Sequence, residues 1–128
     1  LKATGESCIH RNVKEAIVAG DGRGTELIFR TLHNTARVAS NTVSREVVEI
    51  LKQGGQFEDV KDLVAGVRGR KVFDDGDIDA GIWTVGTAMG LINDIPTVGD
   101  LVSRMVSESE QLITGRLADM VVGDKVAV

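Results

Sequence analysis

Apolar positions recur at helical spacing along most of the chain. Ile9, Val13 and Ile17 fall at i, i+4 and i+8, with Arg11, Lys14 and Glu15 off the stripe, which predicts an amphipathic helix over residues 6–19. Thr4 or Ser7 is the expected N-cap, and Glu6 suits the positive helix start. Gly20-Asp21-Gly22-Arg23-Gly24 ends that helix, glycine being the usual residue past a helix terminus. Residues 25–32, centred on Leu27-Ile28-Phe29, are β-branched and apolar and predict a short strand. Residues 33–41 read as a turn entering a helical step. Val43, Val47, Ile50 and Leu51 mark a helix closed by Gly54-Gly55, and Phe57, Val60, Leu63 and Val64 mark a shorter one stopped near Gly66 or Gly69.

Further on, Lys71-Val72-Phe73 reads as a strand or loop, followed by a helix from Asp79 to Ile92 that the Ile95-Pro96 step stops. Thr97 has the position of an N-cap, with Asp100 three residues on. Val98, Leu101, Val102, Met105, Val106, Leu112 and Ile113 then form the cleanest amphipathic stripe of the chain. The pattern predicts a helical hairpin about Pro96 and a loosely attached tail over about 115–128. No internal repeat or low-complexity linker interrupts it.

Composition narrows the class. The 128 residues suit one domain or one piece of a larger one, too few for a complete (β/α)8 barrel of about 200–250 residues. A net charge of −4 and only four aromatic residues, Phe29, Phe57, Phe73 and Trp83, argue against a nucleic-acid partner or an anionic membrane surface. The longest stretch without a charge, Ala80 to Asn93, is 14 residues, too short to cross a hydrocarbon core of about 30 Å. Cys8 is the sole cysteine, so a reducing, cytoplasmic setting is expected. The opening Leu1-Lys2-Ala3-Thr4 lacks an initiator methionine, as a fragment would.

Several candidate chemistries fail on spacing. Cys8 and His10 stand two apart and would not face each other on a helix. Together with His33 they lack the paired spacing of a zinc site. Gly20-x-Gly22-x-Gly24 follows a helix and precedes a strand, the reverse of a phosphate-binding loop. Asp75, Asp77 and Asp79 open like a calcium loop, but Ala80 and Gly86 stand where its glycine and bidentate glutamate belong. Those aspartates suit a helix start instead. Arg68-Gly69-Arg70-Lys71 reads as a solvated basic face. The segment Gly81-Ile82-Trp83-Thr84-Val85-Gly86-Thr87-Ala88-Met89-Gly90-Leu91-Ile92 is more informative. Three glycines in one helix cost about 1 kcal/mol each relative to alanine. Either close backbone packing or a flat ligand over the Gly86–Gly90 strip, beside Trp83 and Thr87, would offset that cost.

Here the sequence resembles a family. Ala3-Thr4-x-Glu6-x-x-x-His10-x-x-x-Lys14 is similar to the stretch after the last barrel strand of FMN-dependent nitronate monooxygenases, the 2-nitropropane dioxygenase family. Asp77-x-Asp79-x-Gly81-x-Trp83-x-x-Gly86-x-x-x-Gly90-Leu91-Ile92-x-Asp94-Ile95-Pro96 resembles that family's C-terminal signature. Thr25-x-Leu27-Ile28-Phe29-Arg30-Thr31 and Asn34-Thr35-Ala36-Arg37-Val38-x-x-Asn41 fit between them. The likeness spans about residues 1–114.

The resemblance implies an α/β fold: a C-terminal fragment of a TIM barrel, mostly helical here, with a small inserted α+β segment. Residues 1–20 would end the last strand and form the following helix. About 25–75 would be the inserted domain and 77–114 the closing helices packed on the barrel. The implied activity is oxidation of alkyl nitronates by dioxygen at FMN. The catalytic histidine and the phosphate loops would lie upstream, in an N-terminal barrel portion that this chain does not contain. Thr4 and Glu6 would stand just past the strand, and Trp83, Gly86 and Thr87 would approach the flavin. Thr87 departs from the family's glutamine at that position. Flavin-dependent enoyl-acyl-carrier-protein reductases share both end signatures and take hydride from a nicotinamide cofactor; the central motifs favour the monooxygenase. A non-catalytic helical module that packs on a partner is the reading from a different class.

Overall fold

The structure, a computed structural model, describes residues 1–121; the end of the expected tail, 122–128, lies outside the described residues. Helix α1 (Arg11–Ala19) is followed by strands β1 (Thr25–Ile28) and β2 (Ala36–Ala39). Helices α2 (Thr42–Lys52), α3 (Phe57–Val60) and α4 (Gly66–Asp75) come next. A long irregular segment with a 3-10 turn at Thr87–Leu91 then leads to α5 (Val98–Gln111), which runs on through a π-helical stretch, Leu112–Leu117, to Met120.

Strands β1 and β2 pair antiparallel with Thr25 opposite Ala39 and Ile28 opposite Ala36. Because side chains alternate across a strand, neighbouring residues of β2 serve two cores. Val38 packs with Ile28, Val43, Val47, Leu51 and Val60 on the α2 side. Ala39 packs with Ala3, Val13, Ile17, Val72, Trp83 and Met89 on the α1 side. The sheet is thus a partition between two apolar clusters.

Helix α2 starts where the chain supplies a full capping box. The Asn41 side chain accepts the Ser44 N–H at 2.8 Å, and the Ser44 hydroxyl accepts the Asn41 N–H at 2.8 Å. Ser44 also donates to Glu26 of β1. The Asn41 amide donates to the carbonyls of Ile78 and Gly81, at 2.7 and 2.8 Å. One buried asparagine therefore holds a helix start and the irregular segment together.

Four expectations from the pattern are corrected. Helix α1 begins at Arg11, capped by His10, whose Nδ1 accepts the Asn12 N–H at 3.2 Å; neither Thr4 nor Ser7 caps it. Residues 36–39 form a strand rather than a helical step, because pairing with β1 outweighs local preference. Residues 71–73 lie inside α4, so Gly66 and Gly69 do not stop a helix there. The helix expected over 79–92, and the hairpin with it, does not form.

Segment 79–92 instead meets the sheet edge. Ala39 N–H donates to the Trp83 carbonyl at 3.0 Å, and Val38 bridges Thr84. Gly81 crosses the backbone of Arg68 and Gly69, and a Cβ on it would come within 2.7 Å of Arg68. Gly90 likewise lies against the Gly20–Gly24 turn, where a Cβ would stand 2.9 Å from the Gly22 nitrogen. Gly81 and Gly90 serve close backbone packing, one of the two explanations the glycine cost required, but in an irregular segment.

Candidate functional site

A cleft of about 860 Å³ opens on one side of the described residues. Its walls are the N-terminal residues Leu1–Thr4, residues 84–86 and 91–96 of the irregular segment, and one edge of α5. Leu1, Leu91, Ile92, Leu101 and Met105 supply apolar surface; Asn93, Asp94, Arg104 and Glu108 supply a polar minority. An apolar cavity with a few placed polar groups is the usual form of a small-molecule site.

Local interactions hold the three walls. Gly5 N–H donates to the Pro96 carbonyl at 2.8 Å, and both Glu6 carboxylate oxygens accept the Val98 N–H, at 2.9 and 3.0 Å. A carboxylate at a helix N-terminus meets unpaired N–H groups and the positive end of the dipole. Thr97 accepts the Asp100 N–H at 3.0 Å, the cap its position predicts. Across the cleft mouth the Arg104 guanidinium makes a two-pronged ion pair with Asp94, at 3.0 and 3.2 Å. Hydrogen bonding to Asp94 raises the Arg104 pKa further. On the opposite wall Lys2 Nζ donates to the Thr84 carbonyl and hydroxyl, at 2.6 and 2.9 Å, and lies 5.2 Å from the centre of the Phe73 ring. Burial lowers the Lys2 pKa.

The residues singled out from sequence are only partly brought together. Thr4 and Gly86 line the cleft. Thr4 is 3% exposed and donates its hydroxyl to the Leu1 carbonyl at 2.9 Å, closing the turn that forms one wall. Gly86 has extended backbone, and a Cβ there would meet nothing nearer than 4.0 Å, so the wall beside it is open. Thr87 is exposed next to it. Glu6 caps α5 behind the cleft. Trp83 is 4% exposed in the α1-side core, its indole N–H donating to the Ile78 carbonyl at 3.2 Å. Asn93, Asp94, Arg104 and Glu108 were not singled out. Asp94 stood inside the C-terminal signature, while nothing in the pattern linked it to Arg104 ten residues on.

The remaining motifs have local roles. Asp21 Oδ1 accepts the N–H groups of Arg23 and Gly24, at 2.8 and 2.9 Å, so the glycine turn closes on itself. Asp79 accepts the Thr42 N–H at 2.9 Å, which lowers its pKa. It serves a helix start as expected, but that of α2. Arg68 donates to the Ala80 carbonyl at 2.6 Å. Among the described residues no three His, Cys, Asp or Glu side chains converge, and no helix is long and apolar enough to cross a membrane.

The cleft fits one side of a flat ring system: an apolar wall beside a glycine with open space above it. Side chains fill the N-termini of α1, α2, α3 and α5 (His10, Asn41, Asp59, and Glu6 with Thr97), whereas α4 begins after Ala65 without a side-chain cap.

No family profile matches the chain. Among solved structures it is similar to FabK from Thermotoga maritima, with a TM-score of 0.84, 25% identity, and coverage of 94% of this chain but 37% of FabK. A point mutant of that FabK matches with a TM-score of 0.76 and 24% identity, over 94% of this chain and 35% of the other. The chain therefore spans little more than a third of the proteins it matches. Its fold is that of a piece of a TIM barrel, mostly helical with a small two-stranded sheet.

Proposed function

We propose that this chain is the C-terminal portion of an FMN-dependent barrel oxidoreductase, contributing one wall of the flavin site. The observation that carries the reading is the fold match to FabK over 94% of this chain and 37% of FabK. FMN, when bound, supplies the electron transfer. This chain's part is positioning. Gly86 lets a flat ring approach the backbone, Thr87 offers a hydroxyl beside it, and Thr4 closes the turn that forms the facing wall. Glu6 and Trp83 act behind the surface, one fixing the start of α5 and the other supporting the wall from the core. The phosphate is held by residues outside this chain.

For the substrate, the sequence motifs favour an alkyl nitronate with dioxygen as oxidant. The enoyl-acyl-carrier-protein reductase reading has its own support, because the solved structures matched are of FabK. The deciding experiment uses the longest natural polypeptide that contains this chain. Bound flavin with turnover of an alkyl nitronate in air supports the first reading. Nicotinamide-dependent reduction of an enoyl thioester selects the second. A polypeptide without flavin ends both and leaves the non-catalytic packing module. The 128-residue chain by itself is expected to retain no FMN through gel filtration; tight retention would contradict the assignment of the phosphate site to other residues.

A further inference from the structure

Charge is divided unevenly around the cleft. Of the charged side chains that line it, Asp94, Arg104 and Glu108 gather about the mouth, and Lys2 stands on the opposite wall. Arg104 is neutralised by its ion pair with Asp94, and Glu108, one turn further along α5, attracts the same guanidinium. Lys2 has no such partner: no carboxylate among the described residues forms an ion pair with it. What holds it is neutral. Its Nζ donates to the carbonyl and the hydroxyl of Thr84 and lies over the Phe73 ring. Such dipoles and ring faces orient a cation without cancelling its charge. Two of the three ammonium N–H groups are spent on Thr84, and the third finds no acceptor among the described residues. The side chain is partly buried beside an apolar lining, where a charge acts through a lower effective dielectric than in water.

We infer that Lys2 is the specificity-determining cation of the cleft, and that the group it selects is a small oxyanion on an otherwise apolar molecule. The inference rests on the proposed function, in which the cleft forms part of the flavin site, and it narrows the substrate. An alkyl nitronate carries its charge on two oxygens, whereas the reacting end of an enoyl thioester is neutral. The apolar lining, Leu91, Ile92, Leu101 and Met105, suits the rest of such a molecule. Thr84 lies two residues before Gly86, so the contacts that fix the cation also fix the approach to the open backbone there.

The test compares butyrate with butyramide, an anion and a neutral counterpart of nearly the same shape, on the longest natural polypeptide that contains this chain. Binding is followed by the amide NMR shifts of Thr84, Val85 and Gly86, a readout that needs no flavin. Butyrate should bind at least about tenfold more tightly than butyramide. Lys2→Gln, which can still donate to Thr84 but carries no charge, should bring the two probes within about twofold of each other. Lys2→Arg should keep most of the preference. Lys52→Met, which removes a charge on α2 outside the cleft lining, should leave it intact. Lys2→Met repeats the loss of charge with the apolar stem retained, which separates a folding defect in one variant from the effect of charge. A preference that persists in both charge-free variants, or that the unmodified polypeptide lacks, would overturn the inference. Bound flavin in the same preparations reads the functional proposal separately. The preference without flavin would leave Lys2 an anion site and remove the enzyme reading; flavin without the preference would do the reverse.

Discussion

Helices α2 and α5 have the same local grammar and opposite fates. Each begins at a side-chain cap, Asn41 or Thr97, and each carries an apolar stripe. The stripe of α2, Val43, Val47 and Leu51, is buried against β1, β2 and α3, whereas that of α5 is exposed over most of its length. Amphipathicity states that a face must be covered; it does not state by what. For α2 the cover is β1, β2 and α3, its near neighbours in the chain. For α5 no element among the described residues covers it.

That contrast can be broken by substitution. Ile28→Ala, in the core that α2 closes, should cost about 2–4 kcal/mol, read as a fall in urea midpoint of the 128-residue chain. Val106→Ala on α5 should stay within about 0.5 kcal/mol in the same chain. Comparable losses would mean that α5 is packed in solution. Asn41→Ala should cost about 2 kcal/mol, because it strips the cap of α2 and leaves the buried Gly81 carbonyl without its donor. The matching Thr97→Ala should cost less, since Glu6 still accepts an N–H at that end of α5.

A smaller contrast separates two glycines of one segment. Gly90→Ala drives a Cβ toward the Gly22 backbone and should lose about 1–2 kcal/mol, while Gly86→Ala should be near neutral. In the flavin-bearing polypeptide the order of interest changes: Gly86→Leu should lower flavin occupancy more than Gly115→Leu, two positions where an added Cβ meets nothing close. Equal flavin content would remove Gly86 from the site.

The smallest effect expected is in pH. Asp79 has its pKa lowered from 3.8, chiefly by the Thr42 backbone N–H. A carboxylate with a depressed folded-state pKa stabilises fully above its unfolded pKa and loses that contribution as pH falls through the folded value. Asp79→Asn should therefore flatten the decline in melting temperature below about pH 4 and leave neutral pH little changed. An unaltered acid limb would show that the contact does not persist in solution.

The sequence by itself determined α2 with its Gly54-Gly55 stop, the short α3 and α5 with its Thr97 cap, because caps and 3.6-residue periodicity are properties of a dozen adjacent residues. It also carried the signatures whose implied barrel fold the structure bears out. Tertiary structure alone decided three things. Residues 36–39 became a strand because β1 offered a ladder. The glycine-rich segment 79–92 became irregular, with a 3-10 turn at Thr87–Leu91, because Asn41, the sheet edge and the backbones at Gly22 and Arg68 satisfied it better than a continuous α-helix would. Arg104 met Asp94 across the cleft mouth because Glu6 and the Gly5–Pro96 hydrogen bond set where α5 starts. Each depends on groups far apart in the chain, and spacing along a sequence has no means of expressing contacts at that range.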